Sequence, residues 1–135
     1  KITANSDERI KKDIHDNILG LNFIANLRPV SYKKVNPADY PEPLVEEKYK
    51  KVDAVRPVDD EKTYDGLIAQ EVKQTLDDLG KEWSGHSVDV NTGKQGIQYG
   101  ALVVPLINAV KERSAENDTL KAALEALTAR VSALE

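Results

Sequence analysis

The one stretch whose residue types and spacing suggest reaction chemistry is Asn5-Ser6-Asp7-Glu8-Arg9-Ile10-Lys11, where a serine stands five residues ahead of a lysine. A serine hydroxyl is a poor nucleophile until a base takes its proton. A lysine can be that base when burial or nearby cations favour its neutral form. The same residues also read as the start of a helix, with Ser6 as N-cap and Asp7 and Glu8 in a first turn favoured by the helix dipole. A cap can also be a nucleophile, so the residues alone leave both readings open. Geometry adds a condition. Residues five apart on a helix are separated by about 140°, and on a strand an odd separation puts them on opposite faces. A bend between Ser6 and Lys11, or a lysine from a neighbouring chain, must therefore complete such a pair.

The elements that must position this stretch fall into three zones. In the first, Ile10, Ile14, Ile18, Leu21, Ile24 and Leu27 recur at spacings of three and four and predict helical structure. Gly20 weakens that helix, and Arg28-Pro29 ends it, because a residue before proline is driven out of the helical region. Val30 to Val35 is then rich in strand formers. The second zone, residues 36–65, holds Pro37, Pro41, Pro43 and Pro57 among mixed charges and reads as a protruding loop or hairpin excursion. Gly66-Leu67-Ile68-Ala69 predicts a short buried strand. A helix follows from about Gln70 to Leu79, with Val72, Leu76 and Leu79 on one face and Gly80 as its stop. Ser87–Val90 and Gln95–Tyr99 flank a glycine-containing turn and predict a hairpin.

The third zone is the most regular. Heptad position d holds Leu106, Arg113, Leu120, Leu127 and Leu134, and position a holds Val110, Asn117, Leu124 and Val131. All are aliphatic except the consecutive Arg113 and Asn117. The pattern lasts roughly four heptads, enough to predict a coiled coil. Glu116 faces Lys121, and Arg130 faces Glu135, in the g-to-e′ pairing of a parallel assembly. Each such exposed pair contributes about 0.5 kcal/mol, so the charges select orientation more than they stabilise. Val and Leu at a with Leu at d do not choose between two strands and three. The alternative, that the stripe packs back on its own domain, fits poorly with so narrow a seam.

Composition sets limits. The chain has 135 residues, a net charge of −4 and no cysteine. That balance argues against nucleic acid as a partner, and it excludes a disulfide framework or a thiolate metal site. The most apolar run, Ala101 to Val110, is too short to span a bilayer and contains Pro105 and Asn108. The lack of methionine and the start at Lys1 lead us to expect a piece of a longer protein. His15 and His86 share no metal-ligand spacing, Trp83 reads as a loop anchor or interface contact, and Lys48–Lys51 reads as solvated surface.

Three blocks, in order, carry a resemblance. Ser6-Asp7-Glu8-Arg9-Ile10-Lys11, Leu27-Arg28-Pro29-Val30-Ser31-Tyr32 and Gly66-Leu67-Ile68-Ala69-Gln70-Glu71-Val72 resemble the C-terminal intramolecular chaperone autoprocessing domain of phage tailspikes, endosialidases and neck appendage proteins. A myelin regulatory transcription factor carries a related module. Tyr99 to Leu106 and the heptad tail also fit, so the resemblance covers nearly the whole chain from Ser6 onward. The excursion at 36–65 is long for the family.

The resemblance implies an α+β fold. A small mixed helix/strand head over residues 6–104 is expected to precede a coiled-coil trimerisation helix over 105–135, with residues 1–5 as the end of an upstream fibre segment. It implies a parallel homotrimer that assists folding of the upstream fibre domain of the same polypeptide, in the host cytoplasm during phage assembly. It then implies self-cleavage of the Asn5–Ser6 bond, with Ser6 as nucleophile and Lys11 as general base. Asp7, Arg9, Gln70 and Glu71 fall in the matching motifs as orienting candidates. No cofactor, metal, nucleic acid or membrane is expected. Two alternatives are a non-catalytic trimerisation foot and the same module in a membrane-tethered transcription factor.

Overall fold

A computed structural model describes residues 3–135; part of the expected upstream segment, Lys1 and Ile2, lies outside the described residues. The head is α+β. In chain order it contains α1 (Leu21–Ile24), β1 (Val30–Lys33), β2 (Thr63–Gly66), α2 (Ala69–Leu79), β3 (His86–Val88) and β4 (Gln95–Ile97). A 3-10 turn at Tyr99–Leu102 leads into one long helix, α3 (Val103–Ala133). The strands form two antiparallel pairs, β1 with β2 from Val30↔Gly66 to Lys33↔Thr63, and β3 with β4 from His86↔Ile97 to Val88↔Gln95.

The core is small and lies where α1, α2 and the β3–β4 hairpin converge: Leu19, Phe23, Val72, Leu76 and Trp83. With so few aromatics, one contact matters out of proportion. The Phe23 and Trp83 rings meet with centroids 5.5 Å apart at 54°, the tilted arrangement aromatic quadrupoles favour. Trp83 is thus an anchor of the head's own core. Gly85 is required beside it, because a Cβ there would lie 2.1 Å from the indole. The α2 helix ends as its sequence dictates, with Gly80 left-handed at φ 63 and Lys81 N–H returning to the Leu76 carbonyl.

The first zone departs from its helical spacing. Only a three-residue 3-10 turn (Glu8–Ile10) and the short α1 form, and the residues between them are irregular, with Asp13 at φ 53. An amphipathic helix draws most of its stability from packing its apolar face. Here the side chains of Ile10, Ile14 and Ile18 are largely exposed, at 66%, 65% and 72%, and Ile18 is held only through its carbonyl, which accepts from Lys81 Nζ at 3.1 Å among the described residues. The segment is an exposed strap until Leu19 enters the core.

Two further boundaries move. The strand expected over Gly66–Ala69 ends at Gly66, while Ala69 already opens α2. Tyr99 explains the break: its hydroxyl accepts from Leu67 N–H at 3.0 Å and donates to the Leu67 carbonyl at 3.4 Å, so a side chain replaces a strand partner. The excursion is the extended tip of the β1–β2 hairpin, whose second strand takes up Thr63–Asp65. Buried Asn36 brackets its base, accepting from Val58 N–H at 2.9 Å and donating to the Val58 carbonyl at 3.2 Å. Arg56 pairs with Asp39 across the tip. Lysines 48 and 50 are paired with Glu46, Glu42 and Glu47. Among the described residues no helix is long and apolar enough to cross a membrane.

The long helix presents two faces. Pro105, Asn108, Ala109 and Glu112, spaced at three and four, meet the head: Pro105 and Ala109 are buried, Glu112 accepts from Leu21 N–H at 2.9 Å, and Asn108 donates to the carbonyls of Asn17 (3.1 Å) and Leu19 (2.8 Å). The heptad stripe is a different face. Its aliphatic members run from 43% exposed at Leu106 to 87% at Leu134. The stripe does not fold back on its own domain.

Arg28 and Glu71 join β1's approach to α2 through paired bonds of 2.8 and 2.5 Å. The guanidinium holds the Glu71 carboxyl below its ordinary value. Stability from this pair is therefore present above the ordinary glutamate range and is lost as pH falls through Glu71's lowered value. The difference in melting temperature between the native chain and Glu71→Gln is expected to shrink as pH is lowered from 7 to 3; a gap that stays constant would show that the carboxylate's charge contributes nothing. Gly85→Ala is expected to destabilise the head by about 1–3 kcal/mol through overpacking against Trp83, read by urea unfolding followed on the fluorescence of that single tryptophan.

Candidate functional site: a serine–lysine pair on an exposed turn

A chain reversal assembles the pair. Asp7 is extended (φ −65, ψ 134), Glu8–Ile10 make one 3-10 turn, and Lys11 is extended again (φ −118, ψ 150), with its N–H bonded to the Glu8 carbonyl at 3.0 Å. The turn shortens the path between the flanking residues, and Lys11 Nζ reaches Ser6 Oγ at 2.6 Å. A bend within the chain makes this contact.

Asp7, not Ser6, caps the turn. Its carboxylate accepts from Arg9 N–H at 2.9 Å and also takes a two-point contact from the Arg9 guanidinium at 3.0 and 2.8 Å. These bonds to Arg9, side chain first and backbone second, hold the Asp7 carboxyl below the usual aspartate range, while Asp7 raises Arg9. Asp7 and Arg9 satisfy each other, so the turn is locked without drawing on Ser6 or Lys11. The Ser6 hydroxyl is left with Lys11 as its side-chain partner.

Asn5, Ser6 and Lys11 are all exposed. A lysine works as a base in its neutral form, which burial favours, and among the described residues nothing covers the pair. Gln70 and Glu71 are not brought to it: Glu71 is engaged by Arg28, and among the described residues Gln70 makes no side-chain hydrogen bond. Their place in the fold is the start of α2. His15 Nδ1 lies 2.9 Å from the Asp13 carbonyl and His86 Nε2 2.8 Å from Gln95 Oε1. Among the described residues no cluster of His, Cys, Asp or Glu is arranged to hold a metal.

Sequence reasoning missed two features that bear on the site. One is the clamp of Asn108 and Glu112 on residues 17–21, which fixes where the strap leaves the head. Two polar side chains four apart beside a buried alanine were the available signal. The other is an apolar groove of about 610 Å³ between the first residues of β1, the end of β2 and the Tyr99–Leu106 stretch. Leu27, Val30, Leu67, Leu102 and Leu106 form much of its wall. Leu106 is also the first seam position, so the groove opens onto the heptad stripe.

No curated protein matches the chain. A family model described as chaperone of endosialidase matches residues 6–81, more than half of its length, beginning at the serine of the pair and ending just after α2. On that match the chain belongs to the chaperone of endosialidase family.

Proposed function

We propose that this chaperone domain assembles as a parallel trimer through the heptad face of α3, assists folding of a fibre segment upstream in the same polypeptide, and then releases it by cutting Asn5–Ser6. The observation that carries the cleavage reading is the 2.6 Å approach of Lys11 Nζ to Ser6 Oγ. In the reaction, neutral Lys11 takes the Ser6 hydroxyl proton while Oγ forms a bond to the Asn5 carbonyl carbon. The Asn5–Ser6 C–N bond breaks as the amine nitrogen receives the proton from Lys11. The resulting ester is hydrolysed by water to an Asn5 carboxylate and a chain beginning at Ser6. Each step uses groups of this chain and water.

The capping geometry weighs against the non-catalytic foot, since Asp7 fills the role that reading gives to Ser6. Parallel assembly is supported by the exposed aliphatic stripe and its g-to-e′ charges, and the number three by the family resemblance. Burying one seam leucine contributes about 1.5–3 kcal/mol, so three strands over four heptads readily outweigh two polar layers at Arg113 and Asn117. Assembly also supplies the cover that the exposed pair lacks, which links cutting to correct folding. Residues 6–104 act as the head and 105–135 as the trimerisation helix, with α3 already begun at Val103.

With a folded stem upstream, a new N-terminus at Ser6 is expected by N-terminal sequencing. Ser6→Ala should abolish it, and Lys11→Ala should slow it by about 10²–10⁴-fold. Unaltered cleavage in Ser6→Ala would overturn the assignment. Because the contact lies within one chain, trimers mixed from Ser6→Ala and Lys11→Ala chains should yield no product; product from such mixtures would place the base on a neighbour. Leu120→Asp with Leu127→Asp should shift sedimentation from trimer to monomer and stop cleavage together. Cleavage by the monomer would break the proposed link.

A further inference from the structure

The strap and the groove are complementary: the isoleucine side chains of the one are exposed and the other is open at the surface among the described residues. Ile10, Ile14 and Ile18 are more than half exposed on an irregular segment that touches no core. The groove of about 610 Å³ is walled by aliphatic side chains and left open at the surface. We infer that in the assembled trimer the Ile10–Ile18 strap of each chain docks into the Leu27–Val30–Leu102 groove of its neighbour. The inference rests on the trimer reading and names the contact by which one chain completes the site of the next.

Position along the trimer axis favours this occupant. Asn108 holds the carbonyls of Asn17 and Leu19, so each strap leaves its head at the level of residue 108. Leu106, in the groove wall, lies two residues away, about 3 Å along the helix axis. In a parallel, in-register assembly every strap therefore departs at the height of every groove. Because Leu106 is also a seam residue, whatever packs on the seam abuts the groove. An extended chain rises about 3.3 Å per residue, so the strap from Ile18 back to Ile10 can reach about 26 Å from its own head.

Lodging these isoleucines places the Glu8–Ile10 turn, and with it Ser6 and Lys11, against a neighbour's surface. Water is then excluded from one side of the pair at the moment the third chain arrives. Lys12 and Asp16 alternate with the isoleucines. Asp65 and Ser31 of the groove rim, bonded to each other at 2.7 Å, offer an acidic edge for Lys12.

The chain contains no cysteine, so paired replacements report directly. Chains carrying Ile14→Cys with Val30→Cys, and chains carrying Ile18→Cys with Val30→Cys, are oxidised after assembly and run without reductant, beside the single variants. At least one pair should close into a covalent trimer as the main species, with none from any single variant. If both paired variants sediment as trimers yet give only intrachain disulfides or none, strap docking is overturned while the trimer stands. If they and the unaltered chain sediment as monomers, the trimer reading fails and this inference with it. As a second measurement, Ile14→Ser with Ile18→Ser should weaken association at least tenfold. The near-ultraviolet signal of Trp83 should stay unchanged, because these side chains are largely exposed and lie outside the core cluster; unaltered association would contradict the docking.

Discussion

One helix has to satisfy two surfaces at once, and the rest of the molecule is arranged around that division. Along its first turns α3 turns Pro105, Asn108, Ala109 and Glu112 to its own head, where a methyl-sized residue permits close approach and two polar side chains seize the backbone of residues 17–21. A different stripe, from Leu106 through Leu134, is withheld from the head. If the polar clamp failed, the first turns of α3 could roll and bring Leu106 and Val110 against the head in place of Pro105 and Ala109. The clamp's hydrogen bonds are individually modest, about 1 kcal/mol each, but their directionality fixes the helix's rotation in a way that apolar packing cannot.

The serine–lysine turn shows a similar economy of structure. Its shape comes from the Asp7–Arg9 pair and two backbone bonds, all local and all at the surface. Such a turn can form before any tertiary structure exists. Its geometry is therefore set locally, while the surface around Ser6 and Lys11 is open in the single chain. On the proposed function, a reaction held back by environment rather than by geometry would keep chaperone and client joined until the client has folded.

Much of this was legible in the sequence where a residue's role is local. Gly80 ends α2, Pro29 precedes β1, the heptads form one unbroken helix, and the mixed α+β head is as expected. The match of residues 6–81 to the chaperone of endosialidase family agrees with the ordered motifs that suggested it. What was illegible depended on partners distant along the chain. Isoleucines at 10, 14 and 18 have helical spacing, yet among the described residues no surface of the chain buries them, so spacing alone misled. Tyr99 stops β2 by bonding Leu67 thirty-two residues away, and Asn36 takes its partners from Val58; neither pairing leaves a periodic trace. Glu71, conspicuous in its motif, is spent on Arg28 rather than on Ser6.

The Asn36 bracket has a consequence for how the domain can vary. It closes the hairpin tip with side-chain bonds to both backbone groups of one residue, so the strands below are insulated from whatever lies above. Loop-closure entropy rises only slowly with length, by about 0.6 kcal/mol for each doubling. The tip between Asp39 and Arg56 is thus a place where chain can be lengthened, shortened or replaced at small thermodynamic cost to the strands below.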